Sequence, residues 1–299
     1  MEYTSDIINL AVVNFKATAG DKSSNLRRIA EFSAAAARRG ADMVVFPEMC
    51  LTGYDYFIDG AIGRTDKLKM AETVSGQSVT TLAAVAAEHS IYIVFGMPER
   101  PAEDADFLYN AAVVLGPDGL VGCYRKIHPF ADENLWCAKG EEPLLFDTKW
   151  GPVGVGICYD SYQFPELVRH YAHRGARLYL NPTAVVEEIP GEGSREAFRR
   201  YYTTTLEYLA RSCTIYVASA NLTGYDGRSY FGGGSMVVGP RTTPFGESDV
   251  HTYCGGDNDN QVGIRLTTLD LSLATRRLFV PTPQTGIPDY RPDVYKRFL

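Results

Sequence analysis

The chain has 299 residues, 45% of them hydrophobic, and a formal net charge of −7. That length and apolar content support a large buried core in one or two domains, while the acidic balance argues against a nucleic-acid partner. No apolar run reaches the roughly 18 residues that a membrane span needs, and the start, MEYTSDIINLAVVNF, is acidic rather than a secretory signal. Cys50, Cys123, Cys137, Cys158, Cys213 and Cys254 are scattered; none form CxxC and no Cys/His cluster has zinc spacing. The expectation is a cytoplasmic protein with reduced thiols and no metal site.

In chain order, IINLAVVNF reads as a buried strand, and KSSNLRRIAEFSAAAARRG as a helix with Leu26, Ile29 and Phe32 on one face and Gly40 as its stop. DMVVF is a second buried strand ended by Pro47, followed by a helix in SVTTLAAVAAEHS and a strand in IYIVFGM. NAAVVLGPDGLVGCY reads as two strands joined by a Pro-Asp-Gly turn. GPVGVGI is a strand too apolar to face water; FPELVRHYAHRG is a helix, ARLYLN a strand and SREAFRRYYTTTLEYLARSC a long helix. TIYVASAN, GGSMVVG, HTYCGG and QVGIRL are strands, and TLDLSLATRR reads as a short helix. Such alternation defines an α/β protein with a largely buried sheet and helices outside it.

The two halves echo each other. RRGADMVVFPE at 38–48 matches HRGARLYLNPT at 173–183: Arg-Gly-Ala, a short apolar strand, then proline near the strand's end. Glu48 and Asn181 therefore stand at the carboxyl edges of their strands, where ligand sites in open α/β sheets gather. No low-complexity linker divides the chain, so residues 1–275 form one domain. The tail, 276–299, carries Pro281, Pro283, Pro288 and Pro292, which preclude a continuous helix or central strand. Extended, it reaches up to roughly 80 Å, far enough to cross onto a second subunit; a self-packed terminus is the alternative.

Ionisable residues end mostly apolar strands at separate places: Glu48 after VVFP, Lys126 in LVGCYRK and Cys158 after VGVGI, with Glu133 in the loop HPFADENLW. Singly, each has an ordinary explanation: a loop carboxylate, a solvated edge charge, a packing thiol. Spacing alone leaves the choice open.

Order and local wording decide it. VVFPEMCLTGY, YRKIHPF and GVGICYD with FPEL resemble the Glu, Lys and Cys signatures of the nitrilase superfamily of carbon–nitrogen hydrolases, in that family's order. NPTA at 181–184, SAN at 219–221 and FGGGSMVVGP at 231–240 extend the likeness over roughly residues 7 to 275. The resemblance implies a four-layer α-β-β-α sandwich, a homodimer or higher homo-oligomer, and hydrolysis of a small amide or nitrile without metal or organic cofactor. It further implies Cys158 as nucleophile, Glu48 as general base, and Lys126 with the Tyr159 backbone N–H as donors to the oxyanion. Glu133 either fixes Lys126 or holds the substrate's amide nitrogen. An excess of negative charge around a single lysine requires that the site keep at least one proton.

The segment after the cysteine, Cys158-Tyr-Asp-Ser-Tyr-Gln-Phe-Pro-Glu166, has one residue more than much of that family and lacks its arginine. That weakens the alternative of an N-carbamoyl amidohydrolase releasing CO2 and ammonia. Tyr-Asp after the cysteine favours amides over nitriles. Tyr54, Phe130, Trp136 and Tyr162 are candidates to line a pocket for an apolar acyl group, with core packing as the alternative for each. Glu187, Glu188 and Glu192 form an acidic loop, which is either solvated or faces a cationic amine. Two rivals remain: a Cys-His hydrolase built on His128, and a non-catalytic scaffold.

Overall fold

The computed structural model describes residues 4–58, 60, 62–187, 192–242, 248–256 and 259–297. In chain order the first half runs β1 (Ile7–Asn14), α1 (Lys22–Arg38), β2 (Met43–Val45), α2 (Asp55–Ile58), α3 (Arg64–Met70), α4 (Gln77–His89), β3 (Tyr92–Glu99), β4 (Tyr109–Gly116) and β5 (Gly119–Arg125). A 3-10 turn at Ala131–Leu135 leads to β6 (Leu144–Thr148), β7 (Gly151–Val155), α5 (Tyr159–Gln163), α6 (Pro165–His173), β8 (Leu178–Thr183) and α7 (Glu192–Cys213). Then come β9 (Tyr216–Asn221), β10 (Thr223–Asp226), β11 (Ser229–Gly232), β12 (Met236–Thr242), β13 (Ser248–Gly255), β14 (Gly263–Asp270) and α8 (Pro292–Tyr295).

The strands form two six-stranded sheets, ordered β14-β1-β2-β3-β4-β5 and β13-β12-β9-β8-β7-β6, plus the β10–β11 hairpin. Among the described strands, β1-β2-β3 pair in parallel in one sheet and β7-β8-β9 in the other. Those are the strands linked through helices, as parallel neighbours require. Along β1 the side chains alternate: Ile8, Leu10 and Val12 pack with the second sheet's core, while Ala11 and Val13 pack with Ile29 of α1 and Leu82 of α4. On the far side Leu167 and Val168 of α6 and Leu206 of α7 close over the second sheet. The result is the four-layer α-β-β-α sandwich.

Local chemistry sets the helix ends. Asp21 caps α1 by accepting from the Ser24 N–H at 3.0 Å. Gly40 and Gly175, at φ 87° and 107°, turn the chain out of α1 and α6 in the same way, ahead of β2 and β8.

TLDLSLATRR is not a helix. Residues 268–270 continue β14, with Asp270 opposite Ile7 of β1, and only a 3-10 turn at Leu271–Leu273 follows. Pairing with β1 overrides a weak local preference. In the tail, Phe279 is buried and Tyr290 packs on it and on His173, with ring centroids 4.9 and 5.5 Å away. Residues 276–290 thus fold back onto their own chain.

Candidate active site

Each candidate side chain sits where a strand ends. After β2 the chain turns at Pro47 and crosses β3. Gly96 makes room: a Cβ there would lie 2.4 Å from the Met49 N. Its own N–H donates to Pro47 O at 3.2 Å. Met49 follows at φ 52°, a strained conformation for a residue with a Cβ. The turn leaves Glu48 completely buried.

Lys126 follows β5 and is also fully buried. Its backbone is gripped on both sides, the N–H donating to Asn110 O and the carbonyl accepting from the Gly140 N–H, each at 2.8 Å. Its Nζ stands 2.7 Å from Glu48 Oε1 and 2.9 Å from Glu133. Glu133, buried on the 3-10 turn, also accepts from the Tyr54 hydroxyl at 2.6 Å and from the Phe130 N–H at 3.0 Å. The structure therefore brings Glu48, Lys126, Glu133 and Tyr54 into one buried network.

Cys158 stands between β7 and α5 at φ 48° and ψ −106°, partly exposed. A side-chain-bearing residue holds such a conformation only under constraint from its surroundings. Its N–H donates to Pro182 O and to Asn181 Oδ1, both at 3.0 Å. Asp160 supplies the rest. It accepts from the Ile157 N–H at 3.0 Å and the Tyr124 hydroxyl at 2.8 Å, and from the His128 N–H at 2.9 Å. One carboxylate thus ties the cysteine loop to β5 and to the segment after Lys126. The Thr183 side chain and the Ala184 backbone both favour the ionised sulfur.

The electrostatics follow from burial. Desolvation pushes Glu48 up to about 7; Lys126 opposes that and Glu133 reinforces it. Burial and then Glu48 hold the Cys158 thiol well above its ordinary value, against the pull of Lys126. Burial disfavours the Lys126 ammonium, yet Glu48 and Glu133 outweigh it and keep the lysine charged. The resting site therefore holds a neutral thiol, a lysinium and a carboxylate poised to exchange a proton near neutrality.

Other sequence candidates land elsewhere. Asn181 is buried and committed: besides Cys158 it accepts from the Ser161 hydroxyl and donates to the Tyr162 hydroxyl and Ser219 Oγ. It supports the cysteine loop from beneath instead of offering an amide to substrate. Trp136 packs on Phe57, centroids 4.8 Å apart, and lines a cavity of about 310 Å³ with Arg64, Leu68 and Phe107, of which neither Cys158 nor Glu48 is a part. The Tyr162 hydroxyl bonds Thr183 within the core. Tyr159 stays partly exposed beside Cys158, its ring between Phe130 and Phe164 at 5.1 and 5.4 Å. His128 is bound through Nδ1 to Asp160 at 2.8 Å and stacks on Phe164 at 3.6 Å. Glu187 is buried and paired with Arg195 at 2.9 Å, so it is no open cation receptor; Glu188 and the Glu192 side chain lie outside the described residues.

Sequence reasoning missed Asn110, Asp160 and Thr183. Asn110 donates to Glu48 at 2.7 Å. The matching strand ends at 38–48 and 173–183 align Thr183, not Asn181, with Glu48, and that signal was available for Thr183.

The sequence profile described as "Carbon-nitrogen hydrolase" matches residues 9–252. The chain is 35% identical over 238 residues to the omega-amidase NIT2 of Homo sapiens, covering 76% of this chain and 78% of that protein. It is 30% identical over 237 residues to a nitrilase of Pyrococcus abyssi, covering 79% and 82%. It also superposes on an amidase from Nesterenkonia sp. AN1 carrying the acetamide moiety of fluoroacetamide at its active-site cysteine, with a TM-score of 0.71, 22% identity, and coverage of 98% and 97%. The two-sheet fold flanked by helices is the one those amidases share. The chain belongs to the carbon–nitrogen hydrolase family, and it is an enzyme of that class.

Proposed function

We propose that the chain hydrolyses small non-peptide amides to a carboxylic acid and ammonia or an amine, through a thioester on Cys158. The observation that carries this reading is the buried Lys126 Nζ, 2.7 Å from Glu48 and 2.9 Å from Glu133, with Glu48 and Lys126 both acting electrostatically on a cysteine held at φ 48°.

Amide carbonyls are poor electrophiles, so the nucleophile must be a thiolate at the moment of attack. Glu48 takes the thiol proton as sulfur adds to the carbonyl carbon and the C=O π electrons move to oxygen. Lys126 and the Tyr159 N–H stabilise that oxyanion; one such donor is worth about 3 kcal/mol. As the oxyanion collapses, the C–N bond breaks and Glu48 gives its proton to the departing nitrogen. Glu48 then takes a proton from water, hydroxide adds to the thioester, and the C–S bond breaks. The thiolate recovers its proton from Glu48, and the cycle closes. Glu133, anchored by Tyr54 and the Phe130 N–H, keeps Lys126 charged and aimed.

The omega-amidase and the acetamide-bearing amidase support amides as the substrate class; the relative named nitrilase makes nitriles an arm of the test. Residues 1–275 form the hydrolase domain. Exposed Ile287 and Tyr295 support a homo-oligomer with the tail at its interface, which a monomer in sedimentation would remove. The six unpaired cysteines support a reducing, cytoplasmic setting, which fractionation of the cell tests.

The deciding experiment measures ammonia release from a panel of primary amides, nitriles and N-carbamoyl compounds. Amides should turn over fastest. Cys158→Ala and Glu48→Gln should each lose at least about 10³-fold with the fold intact. Turnover retained in either variant sinks the assignment.

A further inference from the structure

Glu48 has two carboxylate oxygens in unlike surroundings. Oε1 accepts from Lys126 Nζ and from Asn110 Nδ2, each at 2.7 Å. Oε2 is buried with no hydrogen-bond partner among the described residues. Asn110 is itself fully buried on β4, and its Oδ1 likewise has no partner among the described residues. A buried amide with an unmet acceptor calls for an explanation. Turning the amide over would satisfy nothing: it would set Oδ1 against the carboxylate and remove the donor. The same residue's backbone carbonyl accepts from the Lys126 N–H at 2.8 Å. Asn110 therefore touches base and cation at once, holding one by its side chain and the other by its main chain.

Resting on the amidase reading above, we propose that Asn110 is a positioning residue that fixes the rotation of the Glu48 carboxylate, so that Oε2 alone exchanges protons with Cys158 and the departing nitrogen. Two donors on Oε1 leave that oxygen no room for a proton. Protonated Glu48 carries its hydrogen on Oε2, and ionised Glu48 concentrates charge on Oε1, away from the developing oxyanion. Asn fits this task because it donates without carrying charge. A second cation would suppress basicity, and a carboxylate would repel Glu48.

Asn110 also favours the ionised form of Glu48, in the same direction as Lys126. The other titratable groups that Glu48 faces or feels are Glu133 on the 3-10 turn, Tyr54, Cys158, and Cys137 beyond Glu133. None of these is a second donor to Glu48 that would replace the amide.

The probe is iodoacetamide, which reads Cys158 whatever the natural substrate. Carbamidomethylation of Cys158 is followed by mass spectrometry from pH 5 to 10 in the intact protein and in Asn110→Leu, with circular dichroism as the check on folding. In the wild type the rate should rise through about pH 7 as Glu48 ionises. In Asn110→Leu the rise should move about one pH unit higher, making the variant about tenfold slower at pH 6 and nearly equal above pH 9. A uniformly slower variant with an unmoved rise would mean that Asn110 merely packs, and would overturn the proposal. If Asn110→Leu does not fold, the smaller Asn110→Ser decides the point by the same shift. Glu48→Gln separates the two readings. If it abolishes the pH-dependent rise while Asn110→Leu leaves it in place, only the role of Asn110 fails. If Glu48→Gln keeps the rise, the amidase mechanism itself fails.

Discussion

The ends of β2 and β8 are the same place in two copies of one motif, used differently. Met43 stands opposite Tyr92 and Leu178 opposite Tyr216, each at the start of a parallel pair. In the second half, pairing runs on to Thr183 opposite Asn221. In the first, regular pairing stops at Val45, and the chain lifts over Gly96 to deliver Glu48. At the matching position in β9 stands Ala220, in register opposite Pro182. One strand end is detached and carries the base; the other stays in its sheet and carries Thr183 and Asn181, which support the cysteine. The scaffold supplies paired strand ends, and where each one leaves its sheet decides what it does.

The sharpest break in that contrast is to remove the cation the detached end depends on. Lys126→Met leaves Glu48 and Glu133 buried without their common partner. The expected cost is about 3–5 kcal/mol of stability, read from urea unfolding, with amidase activity lost. A loss under about 1 kcal/mol would show that the carboxylates do not need Lys126 to be tolerated inside. No comparable penalty attends the attached end, whose polar groups are neutral.

Titration draws the same distinction with no mutation. Glu48 is raised from its ordinary value to about 7, so the folded state holds this proton more tightly than the unfolded state. Its contribution to stability is complete below the unfolded value and fades as pH rises through about 7. That amounts to roughly 3 kcal/mol between pH 4 and pH 8. Urea midpoints of wild type and Glu48→Gln over that range should diverge accordingly, the variant gaining relative to wild type as pH rises. Parallel curves would place the neutral-range proton on another group.

How far the site could be read from sequence depended on where each interaction lives. Ending strands made Glu48, Lys126 and Cys158 candidates, and the order and wording of the motifs around them singled them out; the echo of 38–48 in 173–183 pointed to two related halves, each built on a six-stranded sheet. Nothing in the sequence around Asn110 marks it; its hydrogen bond to Glu48 exists only because β4 lies beside β3, where the chain from β2 crosses. Asp160 acts by joining Tyr124 and His128 to the cysteine loop, contacts 36 and 32 residues apart in sequence. Residues 268–270 were misread because local pattern carries no record of the partner strand β1, far away along the chain. Asn181 stood at the expected edge, but whether an edge residue faces inward or down is set by Ser161, Tyr162 and Ser219 beneath it.

The finest test of the contrast exchanges the residues at the two matching positions, Gly96 and Ala220. Gly96→Ala places a Cβ against the backbone of Pro47, Glu48 and Met49, at 2.4 to 2.7 Å, where no flexible side-chain end can yield. The strand or the turn must shift, at a cost of about 1–3 kcal/mol in stability. Because Glu48 rides on that turn, kcat should fall on the order of 10²-fold, the penalty for an ångström of misplacement. The acid limb of the pH profile should move as well, since the bonds to Lys126 and Asn110 would stretch. Ala220→Gly makes the reverse change in the attached half. It should cost about 1 kcal/mol through backbone entropy and leave kcat near wild type. Equal kinetic damage from both would mean that activity tracks stability alone. Damage from Gly96→Ala only would show that the crossing, and not the strand pair in general, sets the position of the base.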